Sequence, residues 1–214
     1  MSKVKVAGFS ISLDGFGAGL EQSLQNPLGK RGTELHTWLY PTKIFQKNVL
    51  GKDQGTEGID NEFAEKSFEN VGAWIMGRNM FGPMRGPWKD DGWKGWWGDE
   101  PPYHVPVFVL THHPREPLKM NGGTTFYFVE GIETALENAR RVAKGKDIRI
   151  SGGVSTVRQF LQAGYIDEIH FAFSAVFLGS GEHVFTGIDM PKLGFTQIQR
   201  KNGENATHII LTKK

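Results

Sequence analysis

Three short stretches carry residue types that could hold a phosphorylated ligand. The first is Ser151-Gly152-Gly153, which follows the β-type run Ile148-Arg149-Ile150. After it, Val154-Ser155-Thr156-Val157-Arg158-Gln159-Phe160-Leu161 has the apolar spacing of a helix, ended by Gly164. A strand turning on glycines into a helix leaves backbone N–H groups pointing out of the turn. An anion can approach where Cβ atoms are missing, and the helix dipole adds partial positive charge there. The same pair serves equally well as an ordinary turn needing positive φ. The second stretch is Gly77-Arg78-Asn79, at the end of the buried-strand run Ala73-Trp74-Ile75-Met76. The planar fork of an arginine grips a phosphate bidentately. The third, Thr111-His112-His113-Pro114-Arg115, closes the run Val107-Phe108-Val109-Leu110. Adjacent histidines raise the question of a metal, but neighbours on an extended chain face opposite ways and no carboxylate pattern completes a ligand set. No metal site is expected.

A second kind of chemistry is stacking. Between Gly86 and Pro106 four tryptophans, at 88, 93, 96 and 97, lie in a Gly/Pro-rich loop that fits neither helix nor strand periodicity. Rings on such a loop can stack on a flat heterocycle, and they can equally pin the loop to the body or build a dimer contact. Trp with interleaved Lys also suits single-stranded nucleic acid. Asp90, Asp91, Asp99 and Glu100 in the same loop argue against that partner. Trp38, Trp93 and Trp97 are the substrate-stacking candidates.

The elements that must position these groups read as a βα alternation. Val4 to Leu13 forms a strand with Gly8 in its interior, a mark of a bulge or of a ligand's close approach. Asp14-Gly15 turns the chain, and Asp14 doubles as an ordinary turn residue. Gly17 to Gly58 is a long, weakly patterned stretch, with a short helix over Glu34 to Tyr40 stopped by Pro41. A helix starts at Asp60-Asn61, and another carries the stripe Ile132, Ala135, Leu136, Ala139, Val142 and Ala143 up to Gly145. The chain ends with strands over Phe195 to Arg200 and Ala206 to Thr212, around the hairpin signal Asn202-Gly203. With 38% hydrophobic and 22% charged residues the composition excludes wholesale disorder. A net charge of +2 excludes a bulk polyanion binder, so any anion site is local. The absence of cysteine excludes thiolate catalysis and disulfides. No apolar run reaches membrane-spanning length, and a cytoplasmic, membrane-free protein is expected.

Several of these pieces, in order, carry a resemblance. Ser12-Leu13-Asp14-Gly15-Phe16, Met76-Gly77-Arg78, Val109-Leu110-Thr111, Ser151-Gly152-Gly153, Tyr165-Ile166-Asp167-Glu168-Ile169 and Phe177-Leu178-Gly179-Ser180-Gly181 through Phe185 resemble the dihydrofolate reductase-like superfamily. Within it, the chain looks most like the reductase domain of bacterial riboflavin biosynthesis and its single-domain relatives. The resemblance spans residues 1–214 as one domain. It implies a mixed, mostly parallel α/β sheet with helices on both faces and a closing C-terminal antiparallel hairpin.

The resemblance also implies NADPH as cofactor. Ala7, with Gly8 beside it, would lie against the nicotinamide. Arg78 would grip the 2′-phosphate, with Gly77 and the backbone at Asn79 near the pyrophosphate. Thr111, His112 and His113 would stand beside the adenosine phosphate, and Gly152, Gly153, Val154, Ser155 and Thr156 would cradle the pyrophosphate. The expected activity is hydride transfer to a small, flat pyrimidine- or pterin-like heterocycle, with a proton from water held by Asp14, Glu34 or Tyr40. No residue aligns with the acidic proton donor of dihydrofolate reductase itself, so folate or pterin reduction proper stands as an alternative. A non-catalytic NADP-binding sensor or interaction protein is another. Related domains commonly dimerise, and a homodimer is expected, with the long strand from Glu168 to Val176 as a candidate for pairing.

Overall fold

The structure, a computed structural model, describes residues 2–89 and 92–213. Its strands are β1 (Val4–Ser12), β2 (Phe16–Ala18), β3 (Val71–Gly77), β4 (Pro106–Leu110), β5 (Leu118–Lys119), β6 (Thr125–Val129), β7 (Asp147–Gly152), β8 (Glu168–Ser174), β9 (Glu182–His183), β10 (Phe195–Asn202) and β11 (Ala206–Lys213). Its α-helices are α1 (Lys43–Leu50), α2 (Ile59–Lys66), α3 (Arg78–Phe81), α4 (Ile132–Val142) and α5 (Val154–Gln162).

A nine-stranded sheet runs in the order β10-β11-β8-β1-β7-β3-β4-β6-β5, and β2 pairs with β9 as a separate small ribbon. From β8 to β6 neighbouring strands are parallel, whereas β5, β10 and β11 run antiparallel to their neighbours. Parallel strands are covered on both faces, which is why β3 reads as a continuous apolar run. Alternate side chains go to opposite layers. Ala73 and Ile75 join Leu136, Ala139, Val157 and Phe160 of α4 and α5 on one face. Trp74 and Met76 join Phe81, Val107 and Val109 on the other. Farther along that second face, Ala64 of α2 meets Ala172 and Trp38. In α5, Val157, Phe160 and Leu161 are fully buried. Truncating Phe160 to alanine would cost about 3–5 kcal/mol and unseat the helix.

Two expectations change in detail. The helix over Glu34 to Tyr40 is a 3-10 turn over Gly32–His36 followed by irregular turns. Helix α1, within the weakly patterned stretch, begins where Thr42 Oγ1 accepts from the Phe45 N–H. Strand β8 is flanked by β1 and β11 over nearly its whole length, so its backbone offers no free edge to a second subunit. The edge strands of the sheet are β10 and β5.

One feature of register shapes the site. β1 and β7 pair only from Val4↔Ile148 to Val6↔Ile150, then separate, while β1 goes on beside β8 as far as Ser12↔Ser174. The fork so opened lies at the C-terminal ends of parallel strands, where open α/β sheets hold their ligands.

Candidate active site

A groove of about 680 Å³ occupies this fork, within the usual range for small-molecule sites. β1 supplies Gly8, Phe9 and Ser10, and the end of β3 supplies Gly77, with Arg78 and Asn79 following. Thr111, His112 and His113 come from the turn after β4. Ser151 and Gly153 at the end of β7, with Val154, Ser155 and Thr156 of α5, complete the wall. Gly152 sits between two lining residues, joined to Gly153 by a cis peptide bond, and Ala7 precedes the lining Gly8. The three phosphate-competent stretches therefore converge on one cleft.

The α5 end is built to meet an anion. No side chain caps the helix at Gly153, so its first N–H groups lack a side-chain acceptor. A Cβ placed on Gly153 would meet no atom within 4 Å. The space above the turn is open groove. Ser151 Oγ beside it is shut from solvent and has no hydrogen-bond partner.

Arg78 lies with its guanidinium 3.8 Å from the Trp88 ring, and Arg115 lies 4.3 Å from that ring too. Its Nε and Nη2 are buried and make no hydrogen bond. Burial, then the neighbouring charges of Arg115 and Arg85, lower its pKa from the ordinary arginine value. Arg85 is tied to Asn79, whose amide in turn donates to Gln22. Among the described residues the lining holds Arg78, Arg85 and Arg158 against a single carboxylate, Glu182. His112 spends Nδ1 on Glu130, 3.0 Å away at the exposed rim, and the Thr111 hydroxyl accepts from the His113 N–H. The His113 carbonyl accepts from the Trp88 indole.

The structure does not bring the proton-handling candidates to the groove lining. Asp14 accepts from the N–H groups of Leu178 and Gly179, at 3.1 and 2.7 Å, and so clamps the β1–β2 turn to the loop after β8. Burial alone would raise its carboxyl, but the Ser12 hydroxyl and these N–H groups hold it below the usual value. Glu34 is engaged bidentately by Arg31 on the surface. Tyr40 packs against His36 and Phe45. The residue of that segment that does line the groove is His36, with Nδ1 buried and unpaired. Burial pushes its pKa down to about 4, so the imidazole is neutral at pH 7.

The stacking candidates have different surroundings. Trp38 is core: it is 1% exposed and donates Nε1–H to Ser10 Oγ at 2.9 Å. Trp93 donates to the Phe81 carbonyl and meets Trp96 edge-on, and Trp97 donates to the Tyr103 hydroxyl. Both lie outside the groove lining; Trp93 ties the loop to Phe81, whereas Trp97 bonds within the loop and leaves its ring 41% exposed; Asp90 and Asp91 lie outside the described residues. Among the described residues no metal-competent cluster of His, Asp or Glu is found.

Comparison with known proteins follows the same lines. The fold matches a protein from Shewanella sp. PV-4 named for riboflavin biosynthesis, with TM-score 0.61, 21% identity and 99% of each chain covered. It also matches dihydrofolate reductase from Enterococcus faecalis complexed with NADP(H), with TM-score 0.55, 13% identity, and 99% of this chain and 96% of that one covered. No curated protein matches the sequence significantly. These likenesses define the class: a dihydrofolate reductase-like α/β fold. Residues 5–208 match the model of the RibD C-terminal domain, and the chain belongs to that family.

Proposed function

We propose that the chain is an NADPH-dependent reductase that delivers hydride to an electrophilic carbon of a small, flat, pyrimidine- or pterin-like heterocycle. Family membership and the shared fold support a reductase-type activity. The observation that carries the cofactor assignment is the charge of the groove. Three arginines and one carboxylate line it, and two nitrogens of Arg78 are desolvated without a partner. A buried cationic donor left unpaired is costly, and a phosphate dianion would relieve that cost.

When bound, NADPH supplies the hydride, and the protein's share is orientation and electrostatics. In this reading the uncapped end of α5, with Ser155 and Thr156, receives the pyrophosphate. Arg78 takes the 2′-phosphate, its plane held against Trp88. Gly8, Phe9 and Ser10 form the floor on which the nicotinamide end rests. His36, neutral at pH 7, offers a hydrogen bond to the heterocycle rather than a proton, and solvent supplies the proton.

The test is calorimetric titration with NADPH and NADH, followed by a search for NADPH consumption with pterin, pyrimidine and quinonoid acceptors. Preference for NADPH together with turnover of one acceptor class is expected. Failure to bind NADPH would overturn the cofactor assignment. Tight binding with no consumption by any acceptor would make the protein a cofactor sensor.

A further inference from the structure

The floor of the groove is tied to a chain of buried polar groups that reaches the opposite side of β8. The Gly8 N–H donates to His170 Nδ1 at 3.1 Å. His170 Nε2 lies 3.0 Å from His208 Nδ1, and His208 Nε2 lies 2.8 Å from Asp60 Oδ1. His170, His208 and Asp60 are 6%, 0% and 2% exposed. Asp60 is fixed from its far side, where Oδ2 accepts from the Asn205 N–H, while Glu204 accepts from the Asp60 N–H.

Hydrogen-bond bookkeeping leaves one arrangement of protons. A backbone N–H can only donate, so His170 Nδ1 must be bare. A neutral His170 then carries its proton on Nε2 and donates it to His208 Nδ1. His208 in turn carries its proton on Nε2 and donates to Asp60, which accepts as a carboxylate. A doubly protonated His208 would need His170 Nε2 as acceptor, which moves the His170 proton to Nδ1 against the Gly8 N–H. Burial, then His208, Arg149 and Lys66, push the pKa of His170 down to about 3. Burial also lowers that of His208 against the pull of Asp60 and Glu204. Both rings are neutral at pH 7, as the bookkeeping requires.

The terminal link of this chain lies where β1 is irregular. Its register against β8 shifts between Val6↔Ile169 and Phe9↔Phe171, leaving three steps on β1 opposite two on β8. Gly8 sits inside this bulge at φ +63°, and a Cβ there would come within 3.3 Å of Ser67 Cβ. Bulges re-aim a strand beside functional sites, and their N–H groups need acceptors that the ladder no longer supplies. The acceptor here is His170. Two residues on, Ser10 is held by Trp38, whose ring meets His208 edge-on at 5.1 Å. Phe63 stacks flat on His208 at 4.3 Å and closes the chain from below.

We propose that Asp60, His208 and His170 are positioning residues, a proton-ordered relay that sets the β1 bulge and thereby the floor of the groove. The assignment of that floor to the nicotinamide end rests on the NADPH reading above; the relay itself does not. Direct measurement on the unaltered protein comes first. Nitrogen-15 spectra should show bare Nδ1 and protonated Nε2 in both His170 and His208. A protonated Nδ1 at His170 overturns the proposal.

Three variants then separate the links. The amide oxygen of His170→Asn stands where Nδ1 was and can still accept from Gly8. His170→Gln reaches His208 but leaves Gly8 without an acceptor, and His170→Leu does neither. The Gly8 amide should exchange slowly with solvent in wild type and His170→Asn, and about tenfold or more faster in His170→Gln and His170→Leu. The NADPH Kd should follow the same split, staying within about twofold for Asn and rising about tenfold for Gln and Leu. A common loss of Tm in all three, with Gly8 exchange and Kd unmoved, would reduce the chain to core packing and overturn the relay. If wild type binds no NADPH, the functional reading fails, and the Gly8 exchange series still decides the relay.

Discussion

Arg78 offers the sharpest test of the cofactor assignment, because its removal should separate affinity from stability. In the free protein the guanidinium stacks on Trp88 at 3.8 Å, but its Nε and Nη2 are buried and unpaired and Arg115 and Arg85 repel it. Arg78→Ala removes a cation–π contact of about 1–2 kcal/mol. It also removes a like-charge repulsion and a desolvation cost of similar or larger size, so Tm should hold or rise slightly. Against a 2′-phosphate the same side chain supplies a charge-assisted fork of about 1.5–3 kcal/mol. NADPH should therefore weaken by roughly 10- to 150-fold while NADH, which lacks that phosphate, stays within about twofold. Arg78→Lys, which keeps the charge and loses the fork, should fall between. Calorimetry with both nucleotides and a thermal scan read all three quantities. Equal losses for NADPH and NADH would move Arg78 to the pyrophosphate or the fold, and a large drop in Tm would refute the claim that its nitrogens await a ligand.

Glu182 is the single carboxylate of the lining among the described residues, so Glu182→Gln should tighten NADPH by roughly two- to threefold at low salt; weaker binding would show that Glu182 orients the site. Trp93→Ala loses the bond to the Phe81 carbonyl and the contact with Trp96, and should cost about 2–3 kcal/mol of stability with NADPH affinity unchanged. A raised acceptor KM at unchanged Tm would instead bring that loop to the substrate. His36 and His170, with pKa values pushed down to about 4 and about 3, and His208, also lowered, are all neutral when folded. The unfolded chain binds protons on each below its ordinary value of about 6.5. Stability is thus fully present above that pH and falls as pH drops, by up to about 1.4 kcal/mol per pH unit for each of His36 and His170 down to about 4. Urea titrations between pH 7 and 5 should show this fall; a flat profile would mean that the rings are charged in the fold.

How much of this was legible before the fold is known varies with the range of the signal. Strands and helices that pack by their own periodicity, such as β3, β7 with α5, and α4, stand out because burial on two faces or along one stripe writes itself into consecutive residues. Helix α1 does not, since none of its residues is fully buried. Its local cues are the Thr42 N-cap and the left-handed Gly51 that ends it. Trp38 reads as a candidate ligand platform even though it sits with Leu35 and Leu39, because the sequence does not show what that short cluster faces; the contacts with Ala64, Ala172 and Ser10 that make it core are tertiary. Glu34 and His36 are two residues apart in a 3-10 turn, where side chains repeat every three residues, so one reaching the groove leaves the other outside it. The relay is further still from sequence logic. His170 and His208 are 38 positions apart, and His208 and Asp60 are 148 apart. Nothing local in either stretch marks the pair.

The two ends of the groove are built with different chemistry. At the arginine end the charge is fixed: guanidinium planes held by Trp88 and Asn79, with helix N–H groups across from them. Such groups keep their proton at any physiological pH and need little reorganisation when a dianion arrives. The groups in line under the β1 floor are a backbone N–H and two neutral imidazoles, with the Asp60 carboxylate beyond both rings; the buried Arg149 guanidinium stands beside them, bonded to Ser67. Aligned in one direction, their dipoles give the bulge a defined geometry. The fork between β1 and β7 serves both ends, because it lets one cleft run from the N-terminus of α5 to the one irregular step in β1.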